Sequence, residues 1–487
     1  MIGLTARHLL NNNPEPKWLE HTDKGTIFIN KSTVLGLTQQ QWLSEMYKTM
    51  DLLAGQTYLE FADAAEYIRS FVGPKYRKLV QCYNRTIRSG KLRTAVTSFV
   101  KADKYEEVIA NSKPPRMIQF RDPGTNCELN RFIEPIENVV LKTRGLGRDK
   151  LPDCSKGMNM DERAQLWAKK RACFRDPVAM KADYSKFDAH LHTHMLELLH
   201  YLYSRMFRLP KGFMEFQLIN RVVTGMIKYT AVGTRMSGDR DTGGGNSLIN
   251  ICIIRTLIRV SGLHVEFLCD GDDSLIWCER KDLVELLKWF DWIPKVCGLK
   301  LEKEVALKLE DEEFCHSKLI LNSKGEWKCY MDPLRTLQRA FWVVNRDGPR
   351  QCGDLLVGIL KSNRKVHWGL PMVHPIMEGL LGRIAQIKEN ARELYTDRWA
   401  KQFVDLHHAV PIDGKYEDDD YMRHQVWQYW GYTPEFQRQV EYAYLNSTFD
   451  NLRFTQAAVS GKVQKVDDEK PINFVNNCAF PWLTGQS

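Results

Sequence analysis

Two apolar, β-prone runs, Val265-Glu266-Phe267-Leu268 and Leu275-Ile276-Trp277-Cys278, flank the hexapeptide Cys269-Asp270-Gly271-Asp272-Asp273-Ser274. Runs of this kind around an Asp-Gly turn predict a β-hairpin. Its tip carries the carboxylates of Asp270, Asp272 and Asp273, and like charges packed so closely repel one another. A divalent cation relieves that repulsion, because Mg²⁺ takes hard oxygen ligands from one or two carboxylates together with substrate phosphates. An acidic surface turn would use the same residues, so the rest of the chain has to select between the two readings.

The chain is long enough for a multi-lobed enzyme or two to three domains, with 487 residues of which 43% are hydrophobic. That composition excludes a disordered protein. A net charge of +9 favours an anionic partner, nucleic acid first. The 12 cysteines include no C-x-x-C pair, which argues against a zinc ribbon or a thioredoxin-type site and for free thiols in a reducing compartment. Met1 to Pro16 is polar and Asn-rich, unlike a signal peptide. No apolar run approaches the ~18 residues of a membrane span. The expectation is a soluble, cytosolic protein that reaches a membrane only through a partner.

Thr38 to Leu53 predicts an amphipathic helix with Thr38 as N-cap and Trp42, Met46, Met50 and Leu53 as its core stripe. A basic stretch follows: Arg69, Lys75, Arg77, Lys78, Arg85, Arg88, Lys91, Arg93, Lys101 and Lys104, interleaved with Tyr67, Phe71, Tyr76, Tyr83 and Phe99. Charge for a phosphate backbone and rings for stacking suit single-stranded nucleic acid; a solvated helix face with aromatic core positions is the plain alternative. In Lys113-Pro114-Pro115-Arg116-Met117-Ile118-Gln119-Phe120-Arg121 the prolines stiffen the entry to an extended segment. Alternation puts Arg116 and Arg121 on opposite faces, with a bend able to bring both to one ligand. Guanidinium forks bind phosphate oxygens bidentately.

Met160 to Cys173 reads as a helix, and Val178 to Asp183 as a strand whose C-terminal end presents Asp183 to a cleft. A turn then leads to a helix from His190 to Phe207, with Asp188 at its start, where the dipole favours negative charge. His190 and His194 fall at i, i+4 on that helix, but no Glu and no third ligand accompany them, so structural histidines are the stronger reading. Arg235 to Asn246 is a Gly-rich loop entering an apolar helix, Ser247 to Val260. Such a loop can offer N–H groups to an anion, yet it is no Walker loop, since no G-K-[ST] follows. Beyond the hairpin, Asp282 to Val296 predicts a helix ending near Pro294, and Gly298 to Glu304 an exposed strand. Phe314 to Ile320 predicts one strand of a second hairpin, closed by Asn322-Ser323-Lys324-Gly325. From about 330 onward the chain is helix-rich and aromatic.

The order of these pieces is a basic strand, D-x-x-x-x-D, S-G-x-x-x-T-x-x-x-N, a G-D-D hairpin, then Lys-rich and Cys-His strands. It resembles motifs F, A, B, C, D and E of the viral RNA-dependent RNA polymerases of positive-strand RNA viruses. The resemblance covers about Lys113 to Ile320, and PPRMIQFR, DYSKFD and SGDRDTGGGN look most like the tombusvirus-like group. It implies an α+β right-hand fold of fingers, palm and thumb, with an antiparallel palm sheet and many helices. Residues 1–176 would form an N-terminal extension and fingers, 177–208 palm, 209–236 a fingers insertion, 237–329 palm again, and 330–487 thumb and tail.

The same resemblance implies that Asp183 and Asp272 hold two Mg²⁺ ions, for which Mn²⁺ can substitute, with Asp273 in support. Lys113, Arg116, Arg121, Asp188, Ser237, Thr242 and Asn246 would surround the NTP, with Asp188 and Asn246 reading the ribose 2′-hydroxyl. Ser237 and Gly238 would touch template. Lys300 or Lys303 would protonate pyrophosphate, a choice left open. Phe314, Cys315, His316 and Ser317 would support the primer end. Gly243, Gly244 and Gly245 fill a place where members of the resembling family often carry bulkier residues; glycines weaken a helix, so the motif B helix is expected to start late, at Asn246. The implied partners are RNA template, nascent RNA, NTPs and viral or host replication proteins, in the host cytoplasm within a membrane-associated complex. Two rivals make different demands. A reverse transcriptase would place a bulky aromatic at Asp188. A non-catalytic RNA-binding protein on the same scaffold would have lost one of Asp183, Asp272 and Asp273.

Overall fold

The computed structural model describes residues 19–22, 25–28, 37–56, 58–101, 116–143, 145–147, 150–210, 212–225, 227–341, 349–387 and 415–447. The chain divides into two compact units: Met1–Gly157 with Lys169–Lys308, and Met158–Ala168 with Leu309–Ser487.

The first unit is organised on a four-stranded antiparallel sheet in the order Leu301–Ala306, Pro177–Tyr184, Asp273–Glu279, Val265–Asp270. The two innermost runs of the sequence motif form the expected hairpin, Val265–Asp270 with Asp273–Glu279. Both strands are buried along most of their length, which is why they read as continuous apolar runs rather than as alternating ones. The helix Gln39–Ala54 is capped as expected: the Thr38 hydroxyl accepts from Gln41 N–H, and the Gln41 side chain reaches back to Thr38 N–H. Its buried Trp42 meets Trp292 edge-on at 5.2 Å, tying it to the helix Leu283–Cys297 behind the sheet. That helix does not end at Pro294. Pro294 lies in its last turn, and Gly298, left-handed at φ 66°, terminates it.

Three other expectations change. The helix drawn from His190 to Phe207 is two helices, Phe187–His190 and Thr193–Met206. Between them Leu191 is extended, and its carbonyl accepts from Thr234 N–H at 2.6 Å instead of from a helical partner. His190 and His194 therefore stand on separate helices. The Gly-rich segment does not delay the next helix, which runs from Thr242 to Ser261 with its glycines inside the first turn. The strand expected over Phe314 to Ile320 begins only at Ser317: Phe314 and Ser317 bond to each other across a tight turn, with Cys315 at φ 49° and His316 at φ 60°.

Besides the pair Leu19–Thr22/Gly25–Phe28, two further hairpins belong to this unit. Thr97–Val100 pairs with Met117–Phe120, and Ile219–Thr224 pairs with Ile227–Val232. Val96 bridges them by bonding to Arg221 and Val223. The second unit carries the hairpin Ser317–Leu321/Trp327–Met331 and the helices Pro333–Ala340, Pro349–Val366, Val373–Ile387, Asp420–Trp430 and Pro434–Asn446. These close on their own core, which includes Leu337, Leu360, Met377, Leu380 and Val426. Among the described residues no helix is long and apolar enough to cross a membrane.

Candidate active site

The hairpin tip is the shortest the backbone allows. Asp270 pairs directly with Asp273, leaving Gly271 and Asp272 as the two-residue turn. Gly271 has φ 69° while Asp272 is not left-handed, the pattern of a II′ turn, in which glycine occupies the first central position. Across the sheet, Ala182 lies opposite Ser274, so the next position of that register sets Asp183 level with Asp273. On its other side Asp183 is paired with Glu302. Directly paired residues of an antiparallel ladder share a face. Glu302, Asp183, Asp273 and Asp270 thus form one acidic row across the strands, with Asp272 at the turn.

The row acts on Asp272. Burial, and then the negative charges of Asp273, Asp188 and Asp183, push its carboxyl up to about 7. Hard carboxylate oxygens under mutual repulsion are the donor set a divalent magnesium-like cation relieves, so Asp183, Asp272 and Asp273 fit such an ion by charge and donor type. In this conformation they repel without converging: among the described residues, no three His, Cys, Asp or Glu side chains are arranged to hold a metal ion.

The turn is clamped from behind by the helix Thr242–Ser261. Ser247 Oγ accepts from Gly271 N–H at 2.9 Å. Asn250 Nδ2 lies within hydrogen-bonding distance of the Ser274 hydroxyl (2.8 Å) and of the carbonyls of Gly271 (3.1 Å) and Asp272 (3.3 Å). The same helix supplies Asn246, whose Nδ2 donates to Asp188 Oδ1 at 2.8 Å. Asn246 is 5% exposed, and its Oδ1 is buried with no hydrogen-bond partner. The outer hairpin strand is pinned by a buried charge cluster. Lys170 Nζ reaches Asp153 at 3.1 Å and Glu266 at 2.8 Å, and Arg255 Nε reaches Asp153 at 2.7 Å. Cys269 N–H and carbonyl bond to Asp153 and Ser155.

Arg121 is not placed as the alternation suggested. It is 0% exposed, and its guanidinium is spent within the protein on Asp239, Asn220, Thr94 O and Phe216 O. Asp239 belongs to a buried network. Gln217 Nε2 donates to Asp239 and to Asp241, and Arg235 Nη1 donates to Asp241 at 2.7 Å. Burial, reinforced by the Asp241 charge and opposed by Arg121, pushes Asp239 up to about 6. Burial also opposes ionisation of Asp241, yet Arg235 and Gln217 hold its carboxyl below the ordinary value. Arg116 is half-buried at the start of the strand, and Lys113 lies outside the described residues.

Ser237 and Gly238 are docked on that strand. Gln119 N–H donates to Ser237 Oγ at 3.2 Å, and Gly238 N–H donates to Gln119 O at 2.6 Å. The Thr242 hydroxyl donates to Met236 O. Lys300 is exposed, two positions before Glu302 and so on the face of Asp183; Lys303 Nζ is held by Asp291 at 2.5 Å. In the second unit, Phe314 and Ser317 are buried, Phe314 against Trp167, while Cys315 is half-buried and His316 exposed at the turn tip. In the basic stretch, Tyr67, Phe71 and Tyr83 pack around Ile68, Leu79 and Cys127. Arg77, Lys78, Arg88 and Lys91 are exposed with Tyr76 and Phe99. Lys104 lies outside the described residues.

Ser247, Asn250, Glu302 and the Arg235–Asp241 pair escaped the sequence reading. For the first two a signal existed: Asn246, Ser247 and Asn250 are the polar residues in the otherwise apolar run Asn246 to Ile254.

A family model described as viral RNA dependent RNA polymerase matches residues 66–451. The RNA-directed RNA polymerase of Pothos latent virus is 32% identical over 238 residues, covering 47% of this chain and 32% of the relative. That of Groundnut rosette virus is 27% identical over 361 residues, covering 72% of this chain and 42% of the relative. That of Tomato bushy stunt virus is 31% identical over 303 residues, covering 59% and 36%. The matched region thus spans less than half the length of each of these relatives.

Proposed function

The chain belongs to the viral RNA-dependent RNA polymerase family, and on that premise we propose that it carries out template-directed RNA synthesis, replicating a viral RNA genome. The 3′-oxygen of the growing strand attacks the α-phosphorus of an NTP, the α–β phosphoanhydride breaks, and pyrophosphate leaves. The observation that carries this reading is the Asn246–Asp188 hydrogen bond of 2.8 Å beside the acidic row. It puts a fixed polar pair, with one buried acceptor still open, next to carboxylates suited to a metal-bound triphosphate.

In this reading the four-stranded sheet belongs to the palm, and fingers and thumb have the sequence boundaries the motif series implies. Asp183 and Asp272 hold two Mg²⁺ ions, Asp273 supports them, and Mn²⁺ can substitute. When bound, such a pair of ions stabilises charge on the attacking and leaving oxygens. Arg116, with Lys113, holds the triphosphate. Asp188 and Asn246 read the 2′-hydroxyl. Ser237 and Thr242, whose hydroxyls bond within the protein, shape the loop on which Gly238 meets template. Lys300, on the face of Asp183, is the proton donor to pyrophosphate in preference to Lys303, which is tied to Asp291. Cys315 and His316, at the turn tip, meet the primer end. The protein works on RNA template and nascent RNA in the host cytoplasm, with replication proteins that bring it to a membrane.

The test is purified protein with an RNA template, labelled NTPs and Mg²⁺, with and without primer. Template-length product that requires Mg²⁺ and template is expected; RNA binding with no incorporation under either condition would overturn the reading.

A further inference from the structure

Arg235 is bonded at both ends to the residues around the Asp188–Asn246 pair. Its peptide N–H donates to the Asp188 carbonyl at 2.7 Å, and its guanidinium donates to Asp241 Oδ2 at 2.7 Å. Asp241 is the residue from which the helix Thr242–Ser261 starts, and its carbonyl accepts the first helical bond, from Gly245 N–H at 2.6 Å. Asn246 follows immediately. The Asp241 carboxylate cannot swing away, because Gln217 Nε2 at 3.0 Å and the Tyr203 hydroxyl at 3.3 Å also bond to it. Gly245 is what admits the guanidinium to the first helical turn: a Cβ there would lie 2.9 Å from Arg235 Nη2.

The ion pair is wholly buried, with side chains 1% and 0% exposed, and Arg235 Nε and Nη2 have no hydrogen-bond partner. Buried pairs are weak sources of stability, and fixing register is their best-attested use. A guanidinium with two nitrogens unsatisfied is poorly built for stability and well placed to fix position.

Resting on the reading that Asp188 and Asn246 select ribose, we propose that Arg235 and Asp241 are positioning residues for sugar discrimination. Through its backbone Arg235 fixes the short helix that carries Asp188. Through Asp241 it fixes the first turn of the helix that carries Asn246. The separation of the two sugar-reading side chains is set by this pair, neither member of which touches the nucleotide.

The experiment compares kcat/KM for an NTP and its matching dNTP in single-nucleotide extension, for wild type, Asn246→Ala and Asp241→Asn, each normalised to active enzyme. If the pair positions the sugar readers, Asp241→Asn lowers the NTP to dNTP ratio by about tenfold, as small misplacements at a reacting centre do. A merely structural role lowers both substrates equally once active enzyme is counted. A lowered ratio in Asn246→Ala with an unchanged ratio in Asp241→Asn overturns this inference alone. Unchanged ratios in both overturn the ribose reading and this inference with it. Should Asp241→Asn fail to fold, the Arg235→Met/Asp241→Leu double variant takes its place, because apolar replacement of a buried pair commonly preserves folding, and the same ratio decides.

Discussion

Asn246 Nδ2 and Asp188 Oδ1 stand 2.8 Å apart, although Asn246 lies a full helical turn inside a helix that begins at Thr242. A residue so placed cannot be an N-cap, so its bond to Asp188 is the remaining reason for an amide here. Asn246→Ala should narrow the gap between NTP and dNTP incorporation. A site built to bond a hydroxyl can reject the analogue lacking it by ~10⁴-fold, so a large part of the discrimination is at stake. A melting temperature lowered by the equivalent of ~1 kcal/mol, the net worth of one lost hydrogen bond, with the NTP to dNTP ratio unmoved, would refute the sugar-reading role.

Asp272 should show its repulsion in the pH dependence of stability. Its folded-state pKa, about 7, exceeds the ordinary 3.8, so the native state binds this proton more tightly than the unfolded chain. Its contribution to stability therefore falls as pH rises from about 4 to about 7 and levels off above. Melting temperatures taken in chelator at about pH 5.5 and about pH 8 should fall between the two for wild type and fall less for Asp272→Asn. Mg²⁺ should restore wild type at the higher pH and leave the variant unchanged. The variant should also lose nucleotide addition by more than ~10²-fold while retaining RNA affinity. Synthesis by the folded variant would remove Asp272 from the metal assignment.

Asn250→Ala strips the turn of three contacts from one side chain. Leaving buried acceptors unpaired costs about 1–3 kcal/mol, and a displaced tip should lower kcat by up to ~10²-fold with KM for NTP little changed. A raised KM for NTP with kcat unchanged would mean that the residue acts on nucleotide binding instead.

The glycines of the first helical turn should respond unequally to alanine. Helix propensity alone makes each Gly→Ala change favourable by about 1 kcal/mol. At Gly243 the nearest obstacle to a Cβ is the flexible end of Lys156, so Gly243→Ala should be neutral or stabilising. At Gly245 a Cβ meets Leu199 Cδ2 at 2.8 Å and Arg235 Nη2 at 2.9 Å, and overpacking costs about 1–3 kcal/mol. Chemical denaturation of the two variants should give opposite signs; equal signs would mean that propensity decides at both positions.

Arg121→Ala should act on stability and Arg116→Ala on substrate. Removing Arg121 leaves Asp239 buried without its partner, a change that costs about 3–5 kcal/mol. Arg116→Ala should raise KM for NTP with a much smaller effect on folding. A folded Arg121→Ala enzyme of normal stability with raised KM would return Arg121 to the triphosphate.

The hairpin, the strand end at Asp183 and the Thr38-capped helix were legible because each is written in local chemistry: turn residues, apolar runs, a capping box. The pairing of Asp188 with Asn246 was legible only through the motif resemblance, since 58 residues separate them. What stayed hidden depends on tertiary partners. Arg121 reads like any arginine at a strand end until Asp239, 118 residues away, is seen beside it. The break at Leu191 is set by Thr234 taking its carbonyl, which no local pattern announces. The glycines at 243–245 were read through propensity, whereas at 244 and 245 side-chain approach from Glu137, Leu199 and Arg235 decides.

The Gly271–Asp272 turn contains no spare residue. In a ladder whose side chains alternate with period two, one residue added or lost would turn a strand's whole set of side chains to the opposite face. The carboxylates would then trade places with the buried Cys269 and Ser274. The hairpin therefore works as a length gauge: this segment can vary by substitution, but insertions and deletions that leave the enzyme functional should be confined to the connections outside it.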